Sequence, residues 1–137
     1  MPMPRSRVLL ADDHDLLMAI VAGVLADEFD VLATVGNGEQ AIKAAIELEP
    51  DVVTLDISMP NLSGIEVASR LAELPRPPRV VFLTHHEDPE LVQTALAAGA
   101  LGYVVKRRLT VDLLPALRSA LLGRVFVSPA IGLAATH

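Results

Sequence analysis

The chain has 137 residues, 52% of them hydrophobic, which suits one compact domain burying roughly two thirds of the surface its unfolded form exposes. Its 11 basic and 17 acidic side chains leave a net charge of -6. Such a surface repels nucleic-acid phosphates, so no direct DNA binding by this chain is expected. Cysteine is absent, which excludes disulfides and thiolate metal sites, and the longest apolar runs, LLMAIVAGVLA and ALAAGALGYVV, reach about half of the ~20 residues a membrane span needs. The start, MPMPRSRVLLADDH, carries an apolar segment too short for a signal peptide. A cytoplasmic protein without a membrane association is expected.

In chain order, RVLLA forms a first strand that runs into Asp12 and Asp13. VLATV forms the second. Ala41, Ile42, Ala45 and Ile46 then recur at helical spacing until Pro50 stops the helix. The third strand, DVVTLDI, delivers Asp56 into a loop broken by Pro60 and Gly64. Ile65, Ala68, Leu71 and Ala72 mark another helix, and RVVFLT a fourth strand ending on Thr84. Asp88 before Pro89 starts a helix that Gly99 ends, and GYVV is a fifth strand ending at Lys106. The last helix carries Leu113, Leu114, Leu117, Leu121 and Leu122, more than one sheet-facing stripe requires, so an exposed leucine patch is expected. Pro115 would cost a hydrogen bond deep inside a helix starting near Thr110, so the cap is expected nearer Asp112. No element is assigned after Arg124.

Five short apolar strands separated by helices predict a single α/β domain, a doubly wound five-stranded parallel sheet with helices on both faces. Ligands of such sheets bind at the carboxyl ends of the strands. There the chain places Asp12, Asp13, Asp56, Thr84 and Lys106. Three crowded acids repel one another unless a cation sits among them. Mg²⁺ suits oxygen ligands and is commonly shared between carboxylates and a phosphate oxygen. Asp56 can then act as the nucleophile toward a phosphoryl group, with an ammonium and a hydroxyl to neutralise the transferred oxygens.

The stretches LLADDHDLL, VVTLDISMPNLSGIEV, VVFLTHHEDPE and AGALGYVVKRRLTVDLL, in this order and at strand ends, resemble the receiver domain of bacterial two-component response regulators. The branch with a C-terminal helix-turn-helix, the NarL/FixJ type, is the most similar. The resemblance implies a flavodoxin-like (βα)5 fold with strand order 2-1-3-4-5, a receiver domain over residues 5–128, and a tail over 129–137 that would begin a linker to an output domain. It implies that Asp56 accepts phosphate from a sensor histidine kinase, that Asp12, Asp13, Asp56 and the backbone carbonyl of Ser58 hold Mg²⁺, and that Thr84 and Lys106 bind the phosphoryl oxygens. Thr84 and Tyr103 would form the switch, leading to a homodimer and to transcription regulation. No separate substrate is expected to be turned over.

Each residue also has a plainer role. Asp12 and Asp13 are ordinary acids before a helix, Thr84 is a usual strand residue, Lys106 a solvated charge, and Tyr103 a packing aromatic. Their joint placement favours the site. A dehalogenase-type phosphatase would need a second acid where Ser58 stands, and a flavodoxin-like cofactor module a hydroxyl- and glycine-rich loop where ADDHD stands. A pseudo-receiver that is never phosphorylated is the remaining alternative. His85 and His86 lack partners at metal-ligand spacing and are placed on the rim of the site, with His85 expected to narrow access to Asp56.

Overall fold

The computed structural model describes residues 5–131. Six strands, β1 (Arg7–Ala11), β2 (Asp30–Val35), β3 (Val52–Leu55), β4 (Arg79–Thr84), β5 (Gly102–Val105) and β6 (Phe126–Val127), alternate with five helices. These are α1 (Asp15–Leu25), α2 (Gly38–Leu48), α3 (Gly64–Leu71), α4 (Pro89–Ala97) and α5 (Leu109–Leu121). The sheet runs β2-β1-β3-β4-β5-β6, and every pairing in it is parallel. The expected order is therefore present, extended by a two-residue sixth strand.

Successive strand residues face opposite sides, so each strand feeds two cores. Leu9, Val53, Leu55, Phe82 and Tyr103 pack with Ala41 and Ala45 of α2, Val67 and Leu71 of α3, and Val92 and Ala95 of α4. Val8, Leu10, Val52, Val81, Leu83 and Val104 pack on the other side with Met18, Val21 and Leu25 of α1 and Leu113, Ala116 and Leu117 of α5. A strand buried on both faces has no polar face to show, which is why these runs lack alternation.

The helix signals fall where the residues placed them. The Asp88 carboxylate accepts from Glu90 N at 2.9 Å to cap α4. Gly99, at φ +104°, follows that helix in a conformation few side chains adopt. Glu49, left-handed at φ 48°, closes α2 just before Pro50.

Two expectations about the last helix are corrected. α5 begins at Leu109, straight after a 3₁₀ turn at Lys106–Arg108, and holds Pro115 inside it. The early start buries Leu109 in the same stripe as Leu113, Ala116, Leu117 and Ala120, and Asp112 does not cap because its carboxylate is taken by Ser128. The carbonyl that Pro115, lacking an N–H, cannot bond belongs to Val111, a residue on the exposed side of the helix. The leucines also divide differently: Leu113 and Leu117 are fully buried, Leu114 and Leu121 pack partly against the core, and only Leu122 stands out, at 69% exposure.

β6 is anchored by a buried polar network. Ser128 Oγ donates to Asp112 Oδ2 at 2.8 Å and accepts from Val105 N at 3.2 Å. A carboxylate only accepts, so the hydroxyl's single proton must go to Asp112.

Candidate functional site

Parallel pairing brings the carboxyl ends of β1, β3, β4 and β5 to one edge, and each delivers one polar residue there. Asp12 follows β1 and Asp56 follows β3, while Thr84 ends β4 and Lys106 follows β5. The ladder continues one residue past two of these strands, with Asp12 N donating to Val35 O at 2.9 Å and Asp56 N to Ala11 O at 3.1 Å. Both carboxylates are thus held by their own backbones.

Asp12, Asp56, Thr84 and Lys106 are all buried, whereas Asp13 lies on the exposed rim. Lys106 Nζ sits 2.6 Å from Asp12 Oδ2 and 3.0 Å from Asp56 Oδ2. One buried ammonium therefore faces two buried carboxylates, and removing it would leave both acids buried without a partner charge. The ammonium approaches Asp12 Oδ2 off the hydrogen-bonding direction, which leaves that buried oxygen without a hydrogen-bond donor.

A ligand atom from each of Asp12, Asp13, His14 and Asp56 falls within 4.8 Å of the others. The carboxylate oxygens of Asp12, Asp13 and Asp56 at that spacing are hard donors and fit a hard divalent cation such as Mg²⁺. His14 was not singled out as a site residue from sequence, although it directly follows the acid pair. Its Nδ1 lies 2.8 Å from Asp12 Oδ1 and 3.3 Å from Asp13 Oδ1. Carboxylates only accept, so Nδ1 carries the proton and the 3.3 Å approach of Lys106 Nζ is a contact, not a hydrogen bond.

Behind Asp56 the chain turns through Pro60 and Asn61, the latter at φ 74°, and returns to α3 with Gly64 N donating to Ile57 O at 2.7 Å. A Cβ on Gly64 would lie 2.1 Å from Asp56 O. Only glycine lets the helix start so close to the strand end. Ser58 N points to Asp56 Oδ1 at 3.4 Å, and its hydroxyl lies 2.7 Å from His86 Nε2.

Thr84 and Tyr103 lie on the α4 side of neighbouring strands, Tyr103 pairing with Phe82 two residues before Thr84. Thr84 Oγ1 accepts from His86 N at 3.3 Å, and the Tyr103 hydroxyl donates to His86 O at 2.9 Å. Burial, with the negative charges of Asp88, Asp56 and Glu87 added, pushes the Tyr103 phenol up to about 12. The expected switch pair is therefore joined through one backbone residue that sequence reasoning had left on the rim. His85 turns elsewhere, its ring edge-on to His14 with centroids 6.0 Å apart.

Arg107, directly after Lys106, forms two 2.7 Å hydrogen bonds to Glu87 across the site's outer edge. They hold the Glu87 carboxyl below its ordinary range.

A doubly wound sheet with an aspartate, a threonine and a lysine at successive strand ends beside an acid cluster defines a receiver-type signalling module. The chain belongs to the response regulator receiver domain family, which matches residues 8–118. It is 38% identical over 128 residues to the response regulator GacA of Pseudomonas viridiflava, covering 91% of this chain and 59% of that protein. To the nitrate/nitrite response regulator protein NarL of Escherichia coli K12 it is 37% identical over 126 residues, covering 90% of this chain and 58% of the relative. The chain thus spans about three fifths of the length of these curated relatives. Among solved structures, the signal receiver domain of the putative response regulator NarL from Mycobacterium tuberculosis superposes with a TM-score of 0.84 at 29% identity, over 89% of this chain and all of that one. A two-component response regulator of the LuxR family from Aurantimonas sp. SI85-9A1 gives 0.88 at 27% identity, over 94% of both chains.

Receiver domains bind Mg²⁺ at an acidic pocket and serve two-component signalling, and response regulators interact with histidine kinases. This chain carries the acidic cluster. No helix among the described residues is long and apolar enough to cross a membrane.

Proposed function

We propose that this receiver is switched by phosphorylation of Asp56. The observation that carries the reading is the pairing of one buried ammonium, Lys106, with the buried carboxylates of Asp12 and Asp56 at a strand-end edge. A carboxylate oxygen of Asp56 attacks the phosphorus of a phosphohistidine on a sensor kinase. The P–N bond breaks, its electron pair leaves on the imidazole nitrogen, and that nitrogen takes a proton. Lys106 and the Thr84 hydroxyl face the transferred oxygens. Asp12, Asp13, Asp56 and the Ser58 carbonyl would hold Mg²⁺, which supplies positive charge to the phosphoryl oxygens when bound.

Residues 5–128 act as the receiver unit, and 129–137 begin the connection to an output segment that regulates transcription. Cytoplasmic placement follows from that role. Phosphorylation favours a homodimer built on apolar groups left exposed on α1 (Leu16, Ile20), on α5 (Val111) and just after it (Leu122).

Incubation with Mg²⁺ and acetyl phosphate, followed by intact-mass and peptide spectrometry, tests the reading. One phosphoryl group at Asp56 is expected, lost in Asp56→Asn and slowed in Asp13→Asn with weaker Mg²⁺ binding. Labelling of Asp56→Asn, or no labelling of the parent, refutes it and leaves the unphosphorylated interaction module. Light scattering with and without beryllofluoride checks assembly, and an unchanged monomer at tens of micromolar would overturn that part.

A further inference from the structure

We infer that His86 is a positioning residue that fixes the Asp56 loop against the Thr84–Tyr103 pair. This rests on the reading of Asp56 as phosphoacceptor and deepens it.

β3 and β4 are hydrogen-bonded neighbours, so the loops that leave them run side by side. Ser58, two residues after Asp56, and His86, two after Thr84, meet at 2.7 Å between Oγ and Nε2. Among the described residues no other hydrogen bond joins loop 56–63 to loop 85–88. Both backbone groups of His86 are also engaged. Its N–H donates to Thr84 Oγ1 and its carbonyl accepts from the Tyr103 hydroxyl.

Hydrogen-bond direction gives these contacts a purpose. A threonine hydroxyl has one proton and two lone pairs. With His86 N–H occupying one lone pair, the Thr84 proton stays available for a phosphoryl oxygen. On the other side, the imidazole holds Ser58, whose own N–H lies 3.4 Å from Asp56 Oδ1. One residue therefore fixes where the accepting carboxylate and the threonine donor stand relative to each other. His86 does not touch the reacting atoms itself.

Phosphorylation by acetyl phosphate with Mg²⁺ across donor concentrations tests this in the whole chain. One net hydrogen bond converts to about a 5-fold effect. His86→Ala should lower the maximal rate by about that factor while the half-saturating donor concentration stays put, because alignment is lost and donor binding is not. Ser58→Ala keeps the backbone carbonyl and should show the same loss, and His86→Ala/Ser58→Ala no more than either alone. His86→Gln, which puts an amide nitrogen where Nε2 stands, should restore most of the rate. Urea midpoints of all variants separate misfolding from misplacement. Parent-like rates in both single variants, losses that multiply in the double variant, or a failed Gln rescue would overturn the role of His86. A parent that takes no phosphoryl group at all overturns the reading of Asp56 instead, and the inference with it.

Discussion

Gly64→Ala places one methyl group against the carbonyl of the proposed phosphoacceptor. The added carbon would stand 2.1 Å from Asp56 O and 2.9 Å from both Asp56 C and Ile57 Cα. All three are backbone atoms, so no flexible side chain can swing aside, and the strand end and the start of α3 must separate by roughly 1 Å. Overpacking of this kind costs about 1–3 kcal/mol, and the upper end is expected because the 2.7 Å bond from Gly64 N to Ile57 O is stretched as well. A displacement of ~1 Å at a reacting group can lower its rate ~100-fold. Gly23→Ala is the control. That residue is exposed within α1 with nothing within 4 Å of an added Cβ, and the change should stabilise by about 0.5–1 kcal/mol. Urea unfolding gives the stabilities, and acetyl phosphate labelling of the still-folded protein gives the rates. A Gly64→Ala protein as stable as the parent and labelled at the parent's rate would show that the close approach does not govern the placement of Asp56.

Tyr103 is the only tyrosine in a chain without tryptophan, so its phenolate absorbance can be followed alone. With its value raised from 10.0 to about 12, the neutral phenol is favoured by folding. Its stabilising contribution is present below pH about 10 and is lost as the pH rises toward 12. Titration of the native protein at 10, indistinguishable from the urea-unfolded chain, would contradict the burial of the ring. Ser128→Ala should destabilise by about 2–4 kcal/mol, since it strips a donor from Asp112 and an acceptor from Val105 N in a dry site. Asp112→Asn, whose amide oxygen still accepts, should cost less, and equal urea midpoints for the two variants would refute that ordering. Glu87→Gln should leave urea stability unchanged within error, because its pairing with Arg107 is exposed to water; a clear loss would show that this edge is a structural lock.

Asp12, Asp56, Thr84 and Lys106 were legible in the sequence because chain geometry forces their convergence. Short branched runs alternating with helices require a parallel sheet, and a parallel sheet brings all its carboxyl ends to one edge. Caps were legible for a similar local reason, as at Asp88 and Gly99. β6 was not, since two residues carry no periodicity, and its place depends on Ser128 reaching Asp112 sixteen positions away. The start of α5 depended on whether burying Leu109 outweighs the bond lost at Pro115, a balance fixed by the sheet beneath the helix. The side-chain links His86 to Ser58 and His14 to Asp12 lay outside the sequence reading as well. Periodicity and capping act over a few residues and leave their mark along the chain. Contacts such as that of His86 with Ser58 arise only when two loops far apart in sequence are carried side by side, and hydrogen-bond geometry, not residue spacing, then selects which atoms meet.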